Sequence, residues 1–148
     1  MAAVNVYLNF DGRCEEAFDF YKSIFGGEFV DGISRFGDMP AGNDMPPLPE
    51  EVANEVLHVS LPVMGSILMG SDAPSAMGTP PVTSGTNMHI VLSPDSRAET
   101  ERIFNALADG GEVTMALQDA FWGSYFGTCT DRYGVQWMLD YAESAVKI

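Results

Sequence analysis

The chain is short of positive charge. Seven lysines and arginines face 21 aspartates and glutamates, for a formal net charge of −14. A field of that sign repels phosphate backbones and anionic headgroups, which argues against nucleic acid and membrane surfaces as partners. Cysteine is scarce too: Cys14 and Cys129 are the two, and neither forms a Cys-x-x-Cys pair or adjoins a histidine. A disulfide between them stays open, but the expectation is two reduced, packed thiols in a cytoplasmic protein. No apolar run approaches the roughly 20 residues that span a bilayer. Met1-Ala2-Ala3-Val4-Asn5 has no basic region ahead of an apolar stretch, so no signal peptide is expected. Phosphate-cradling loops, dinucleotide fingerprints and a Gly-x-Ser-x-Gly elbow are also missing. What remains is a globular composition, 46% hydrophobic and 19% charged over 148 residues. A chain of that size buries about 70% of its unfolded surface and needs no disulfide or structural metal to be stable.

What the chain does have is one pattern written twice. Residues 4–10 alternate Val4, Val6, Leu8 and Phe10 against Asn5, Tyr7 and Asn9, the period of a strand with one face on a hydrophobic layer. Residues 14–25 place Ala17, Phe18, Tyr21, Ile24 and Phe25 on one helical face, and Gly26-Gly27 stops the helix. Strands are expected over residues 28–36, 55–61 and 66–71. Between the first two, residues 38–49 hold four of the nine prolines and form an irregular loop. Residues 74–85, rich in Pro, Gly, Ser and Thr, divide the halves. The second half then opens with a strand over residues 86–93, in which His89 stands where Tyr7 stands in the first. A helix over residues 96–109 has Ser96 as N-cap with Glu99 three residues on, an apolar face of Ala98, Ile103, Ala106 and Leu107, and a Gly110-Gly111 stop. Strands over residues 112–120, 124–130 and 135–141 complete it. Each half ends on a methionine followed closely by an aspartate, Met69 with Asp72 and Met138 with Asp140. The expected architecture is α+β, two β-α-β-β-β modules over residues 1–73 and 85–142. Each helix covers one side of its sheet and leaves the other side free.

At this level the chain resembles the vicinal oxygen chelate superfamily, the glyoxalase, bleomycin-resistance and dioxygenase folds, and most closely its PhnB-like branch. The resemblance rests on Tyr7-Leu8-Asn9-Phe10, on residues 15–21 with Phe25-Gly26-Gly27, and on Gly70-Ser71-Asp72. It also rests on residues 118–123 and 131–138, so that it covers nearly the whole chain. It implies curved, incomplete-barrel sheets with the helices outside, a concave pocket, a homodimer, and in the typical enzymes a divalent metal held by His and Glu. The branch is described by analogy as a methyltransferase, but no segment here resembles a methyl-donor site.

The family's ligand positions fall here on Tyr7, Met69, His89 and Met138. Strand parity turns Tyr7, His89 and Met138 into the hollow and Leu8, Ile90, Trp137 and Leu139 toward the helices. Thioether and neutral phenol are poor ligands for a hard or borderline ion, and one imidazole does not hold one against water. No metal and no other cofactor is therefore expected. A rearranged metalloenzyme site joining His58 and His89 to a carboxylate such as Asp72 is the alternative. Asp72, Asp119 and Asp140 otherwise read as solvated acids near strand ends. The expected function is binding of a small, partly apolar ligand by Tyr7, Asn9, His58, Met69, Trp122, Tyr125 and Met138. Any catalysis would use His89 as the acid–base group.

Overall fold

The computed structural model describes residues 2–40 and 47–142. The chain divides into two compact units, Met1–Thr83 and Ser84–Ile148.

In the first unit, β1 (Val6–Phe10) leads into α1 (Cys14–Phe25). There follow β2 (Ser34–Arg35), a 3-10 turn (Phe36–Asp38), α2 (Glu50–Ala53), β3 (Val56–Val63) and β4 (Ser66–Asp72). The sheet order is β1-β4-β3-β2, with β1 parallel to β4 and the other pairs antiparallel. One face meets α1. Phe10, Val59, Leu61 and Leu68 of the sheet and Cys14, Ala17, Phe18, Tyr21 and Ile24 of the helix are all buried. Each large apolar side chain removed from water here contributes about 1.5–3 kcal/mol. The approach is close at Gly70, where a Cβ would stand 2.5 Å from the Phe18 ring. Phe25, assigned to the same helix face, is only half-buried.

The strand expected over residues 28–36 shrinks to Ser34–Arg35. Asp31 (φ 58°) and Gly32 (φ 72°) take left-handed backbone conformations that no strand accommodates. Part of the loop expected over residues 38–49 lies outside the described residues. The 3-10 turn leads into that loop, ending at Asp38, and the short helix α2, which the prolines conceal in the sequence, follows it.

The second unit repeats the order. β5 (Ile90–Leu92) and α3 (Arg97–Ala108) precede β6 (Glu112–Asp119), β7 (Tyr125–Thr130) and β8 (Gln136–Tyr141), in sheet order β5-β8-β7-β6. Leu92, Cys129, Trp137 and Leu139 pack with Thr100, Ile103, Phe104 and Leu107 of α3. Ala98 is exposed, so the helix face is turned from the one expected and centres on Thr100 and Phe104. The Ser96 side chain does cap α3, accepting from the Glu99 N–H at 3.0 Å. No helix among the described residues is long and apolar enough to cross a membrane.

Two open four-stranded mixed sheets, each with a helix on one face, make the α+β fold expected. It is the glyoxalase-like fold.

Candidate functional site

The face of the first sheet that turns away from α1 is laid out by strand register. Tyr7 lies beside Met69 and Met69 beside Ser60; Asn9 lies beside Ser71, and His58, two residues from Ser60 on the same strand, lies beside Ser34. Neighbours in register share a face, so these side chains form one surface. His58 Nε2 and Ser60 Oγ are 2.9 Å apart, two residues along one strand, which fixes the imidazole. The Tyr7 ring lies 5.8 Å from the His58 ring, tilted by 36°. Ser71 Oγ donates to Asn9 Oδ1 at 3.4 Å. None of these positions holds an acid, a lysine or an arginine. Tyr7, Asn9, His58 and Met69 thus share one open face. Ser60 and Ser71, which sequence reasoning passed over, join them; the signal available for Ser60 was its even offset from His58 on an alternating strand.

The open face of the second sheet carries Met138 between Val91 and Thr128, and Asp140 beside Phe126. The residue paired with Met138 is Val91, as Tyr7 is paired with Met69. His89 lies two residues earlier, exposed and just ahead of β5, because the expected strand over 86–93 is formed only by Ile90–Leu92. Trp122 stands in the turn between β6 and β7, 56% exposed, with its ring edge-on to Phe126 at 5.5 Å.

Three expectations need correction. Tyr125 is not on the open face. It pairs with Tyr141, two steps from Leu139 on the helix side. There its hydroxyl donates to Glu101 at 2.7 Å and the Arg97 guanidinium stacks 3.8 Å above its ring. A cleft of about 310 Å³ lies on that side, where Arg97 is engaged by Asp119. Asp72 is not a solvated acid. It is buried on the helix side of β4, where Oδ1 accepts from the Cys14 N–H and Oδ2 from the Val56 N–H, each at 2.9 Å. Both oxygens are committed to backbone, which removes Asp72 from any ligand set with His58. Asp140 is solvated only in part: the residue is half-buried, and its Oδ1 is shielded and has no hydrogen-bond partner among the described residues.

Cys14 and Cys129 are free and buried. Burial, with Asp72 next, pushes the Cys14 thiol well up, and burial with Asp131 pushes Cys129 up to about 11. Neither is a thiolate nucleophile near neutrality.

The metal implied by the fold does not fit these residues. The matching positions offer a phenol, two thioethers and one exposed imidazole, a donor set that binds hard or borderline divalent ions poorly. No three His, Cys, Asp or Glu side chains among the described residues come together as a ligand group.

Comparison with known proteins places the chain. The family model described as 3-demethylubiquinone-9 3-methyltransferase matches residues 2–139. Protein YjdN of Escherichia coli is 34% identical over 140 residues, 90% of this chain and 91% of that one. The crystal structure of protein PA1353 from Pseudomonas aeruginosa superposes with a TM-score of 0.80 at 38% identity, covering 96% of this chain and 98% of that one. A putative 3-demethylubiquinone-9 3-methyltransferase from Bacillus cereus, called a PhnB protein, gives 0.73 at 27% identity over 95% and 100%. The chain belongs to this 3-demethylubiquinone-9 3-methyltransferase family, the PhnB-like family.

Proposed function

We propose that the chain binds a small, uncharged, partly apolar molecule on the open face of its first sheet, without a metal ion. The observation that carries this reading is the make-up of that face. Hydrogen-bonding groups that both donate and accept (Tyr7, Asn9, His58, Ser60, Ser71) alternate with the Met69 thioether, and no charge stands among them. Such a surface matches a planar or compact ligand with a few polar edges. It offers no cation to an anionic substrate. Tyr7, 46% exposed, supplies a ring to stack on, and Met69 adapts to an apolar contour. His58, oriented by Ser60, is the imidazole placed for acid–base work if turnover follows binding. His89, the residue expected for that role, stands exposed outside the strand ladder. Met138 and Trp122 provide apolar contact on the second unit's own open face.

The family's description names a methyltransferase. The sequence holds no glycine-rich strand-to-helix turn for a nucleotide-bearing methyl donor, so the reading proposed is binding and not methyl transfer. The working form is proposed to be a homodimer in the cytoplasm. Exposed apolar side chains on the second unit, Phe121 at 97%, Met88 at 75% and Val91 at 54%, support an interface between copies.

A thermal-shift screen of matched neutral and anionic aromatic compounds tests the ligand class. Neutral compounds should stabilise the protein, and Tyr7→Ala and His58→Ala should each weaken the best of them about tenfold or more. Preference for the anions, unchanged binding by both variants, or stoichiometric metal in purified protein that is lost on His58→Ala would overturn the reading. Analytical ultracentrifugation tests the dimer.

A further inference from the structure

We propose that the cleft on the helix side of the second sheet binds a small neutral polyol, of the size of a monosaccharide. Strand register builds this cleft. Asp119 at the end of β6 pairs with Tyr125 at the start of β7, and Tyr125 pairs with Tyr141 at the end of β8, so the three side chains stand in one row. Arg97, the first residue of α3, closes the row. The space they bound is about 310 Å³, and Gly123 and Ser124 of the β6–β7 turn line it too. That volume is at the small end for ligand sites.

The walls are fixed in advance. Arg97 donates to both Asp119 oxygens at 3.0 Å and lies 3.8 Å above the Tyr125 ring, and the Tyr125 hydroxyl is tied to Glu101 at 2.7 Å. In the turn, the Ala120 N–H donates to the Ser124 carbonyl at 2.7 Å and the Gly123 N–H to the Ala120 carbonyl at 3.0 Å. A site held in this way loses little freedom when a ligand enters.

What the walls leave over sets the chemical class. Ser124 is only 5% exposed, and neither its hydroxyl nor that of Tyr141 has a hydrogen-bond partner among the described residues. Native proteins seldom leave a buried hydroxyl in that state without a use for it. Arg97 holds the Asp119 carboxyl below its ordinary value, so it stays ionised and only accepts. A carboxylate has about four acceptor positions, and Arg97 fills two of them. The one cation and the one anion of the lining are thus bonded to each other. An ionic ligand of either sign would have to break that pair. An apolar ligand would leave the hydroxyls unsatisfied. Several hydroxyls on a compact carbon frame meet every spare group: they donate to Asp119 and exchange hydrogen bonds with Ser124 and Tyr141. The C–H face of the same frame lies on the Tyr141 ring.

This cleft belongs to the second unit and is separate from the surface proposed on the first sheet. Saturation-transfer NMR titrations with D-glucose, D-galactose, D-mannose, D-xylose and myo-inositol test it, with tetrahydropyran-2-methanol, glucuronate and glucosamine as controls. At least one of the five polyols should bind with a Kd of about 10 mM or lower. It should bind about tenfold more tightly than tetrahydropyran-2-methanol, which keeps the ring and has a single hydroxyl, and more tightly than either charged sugar. Ser124→Ala and Tyr141→Phe each remove one hydroxyl, and each should weaken the best polyol by about threefold to tenfold. Tyr7→Ala, on the first sheet, should leave its affinity unchanged. No binding by any of the five, or binding of a control as tight as the best of them, would overturn the proposal on the unaltered protein alone. So would unchanged affinity in both hydroxyl variants, or loss of the polyol in Tyr7→Ala. The neutral-ligand reading of the first sheet is read with aromatic probes and stands or falls apart from these results.

Discussion

The Asp72 carboxylate accepts the backbone N–H of Cys14 at 2.9 Å, although 58 residues of sequence separate them. Helix α1 has Arg13 at its N-cap position and no side-chain cap bond from it, so a carboxylate at the end of β4 does the work that Ser96 does for α3. Its other oxygen holds Val56, the first residue of β3. Asp72→Ala strands two buried N–H groups and should cost about 3 kcal/mol in a urea unfolding titration. Asp72→Asn should not restore that, because its amide nitrogen would face one of the two N–H donors. An Asn variant as stable as the unaltered protein would refute this account.

One residue of spacing separates the roles of Asp72 and Asp140, and it bears on what a sequence can display. Both halves read as a methionine followed by an aspartate, but the offset is three from Met69 and two from Met138. In a strand an odd offset changes face, so Asp72 meets the helix while Asp140 stays with Met138 on the open side. Helix stops, the Ser96 cap and the alternation of β1 are local signals, and they were legible. The duplicated order of elements, read with them, was enough for the fold. The positions of Tyr125 and His89 depend on register, which is set by partner strands and not by the residue's own neighbours. Tyr125 falls on the helix side because it pairs with Tyr141. His89 falls outside β5 because only Ile90, Val91 and Leu92 find partners on β8.

The two Gly-Gly helix stops look alike in sequence and differ in substance. Gly26 and Gly27 have φ of 77° and 81°, and a Cβ added at either position would meet nothing within 4 Å. Alanine at Gly27 should cost only the penalty of its positive φ, roughly 1–2 kcal/mol, whereas Gly26, with ψ of −164°, sits in a region open essentially to glycine alone. Gly111 has an ordinary φ, but a Cβ would run into the Thr130 carbonyl and the Asp131 backbone. Backbone cannot step aside as a side chain can, so Gly111→Ala should cost about 3 kcal/mol or more. Chemical denaturation of Gly27→Ala and Gly111→Ala checks the order; the reverse ranking would contradict it.

Two glutamates of the first unit should pull in opposite directions with pH. The Arg35 side chain, hydrogen-bonded to Glu15 at 2.9 and 3.0 Å, lowers the Glu15 carboxyl below its ordinary value. A lowered folded value means stability that is present above the unfolded pKa and is lost as pH falls through the folded one. Both partners are substantially exposed, so the contribution is held to a few tenths of a kcal/mol, and salt should reduce it. Burial raises Glu55, with Asp72, Asp11 and Glu51 adding repulsion. Glu55 therefore costs stability at neutral pH and regains it as pH falls through the raised value. Glu55→Gln should stabilise the protein at pH 7 and lose that advantage by about pH 4, near the ordinary glutamate value. Glu15→Gln should destabilise slightly at pH 7 and not at all in acid. Unfolding midpoints across that range measure both.

The thiols govern the alkaline side. Burial, then Asp131, raises Cys129 from 9.0 to about 11, and burial, Asp72 and Glu15 raise Cys14 further. Above pH 9 the unfolded chain releases these protons while the folded chain keeps them. The Cys129 contribution is therefore complete below pH 9 and is lost progressively as pH rises toward 11. Cys129→Ala removes a packed side chain and should be less stable than the unaltered protein at pH 7. Between pH 9 and 11 its unfolding midpoint should fall less steeply. The same shielding should leave both thiols unmodified by iodoacetamide at pH 8 in the native protein and fully modified in urea, as read by intact mass. Rapid native-state alkylation at either cysteine would show that the thiol is neither buried nor held protonated.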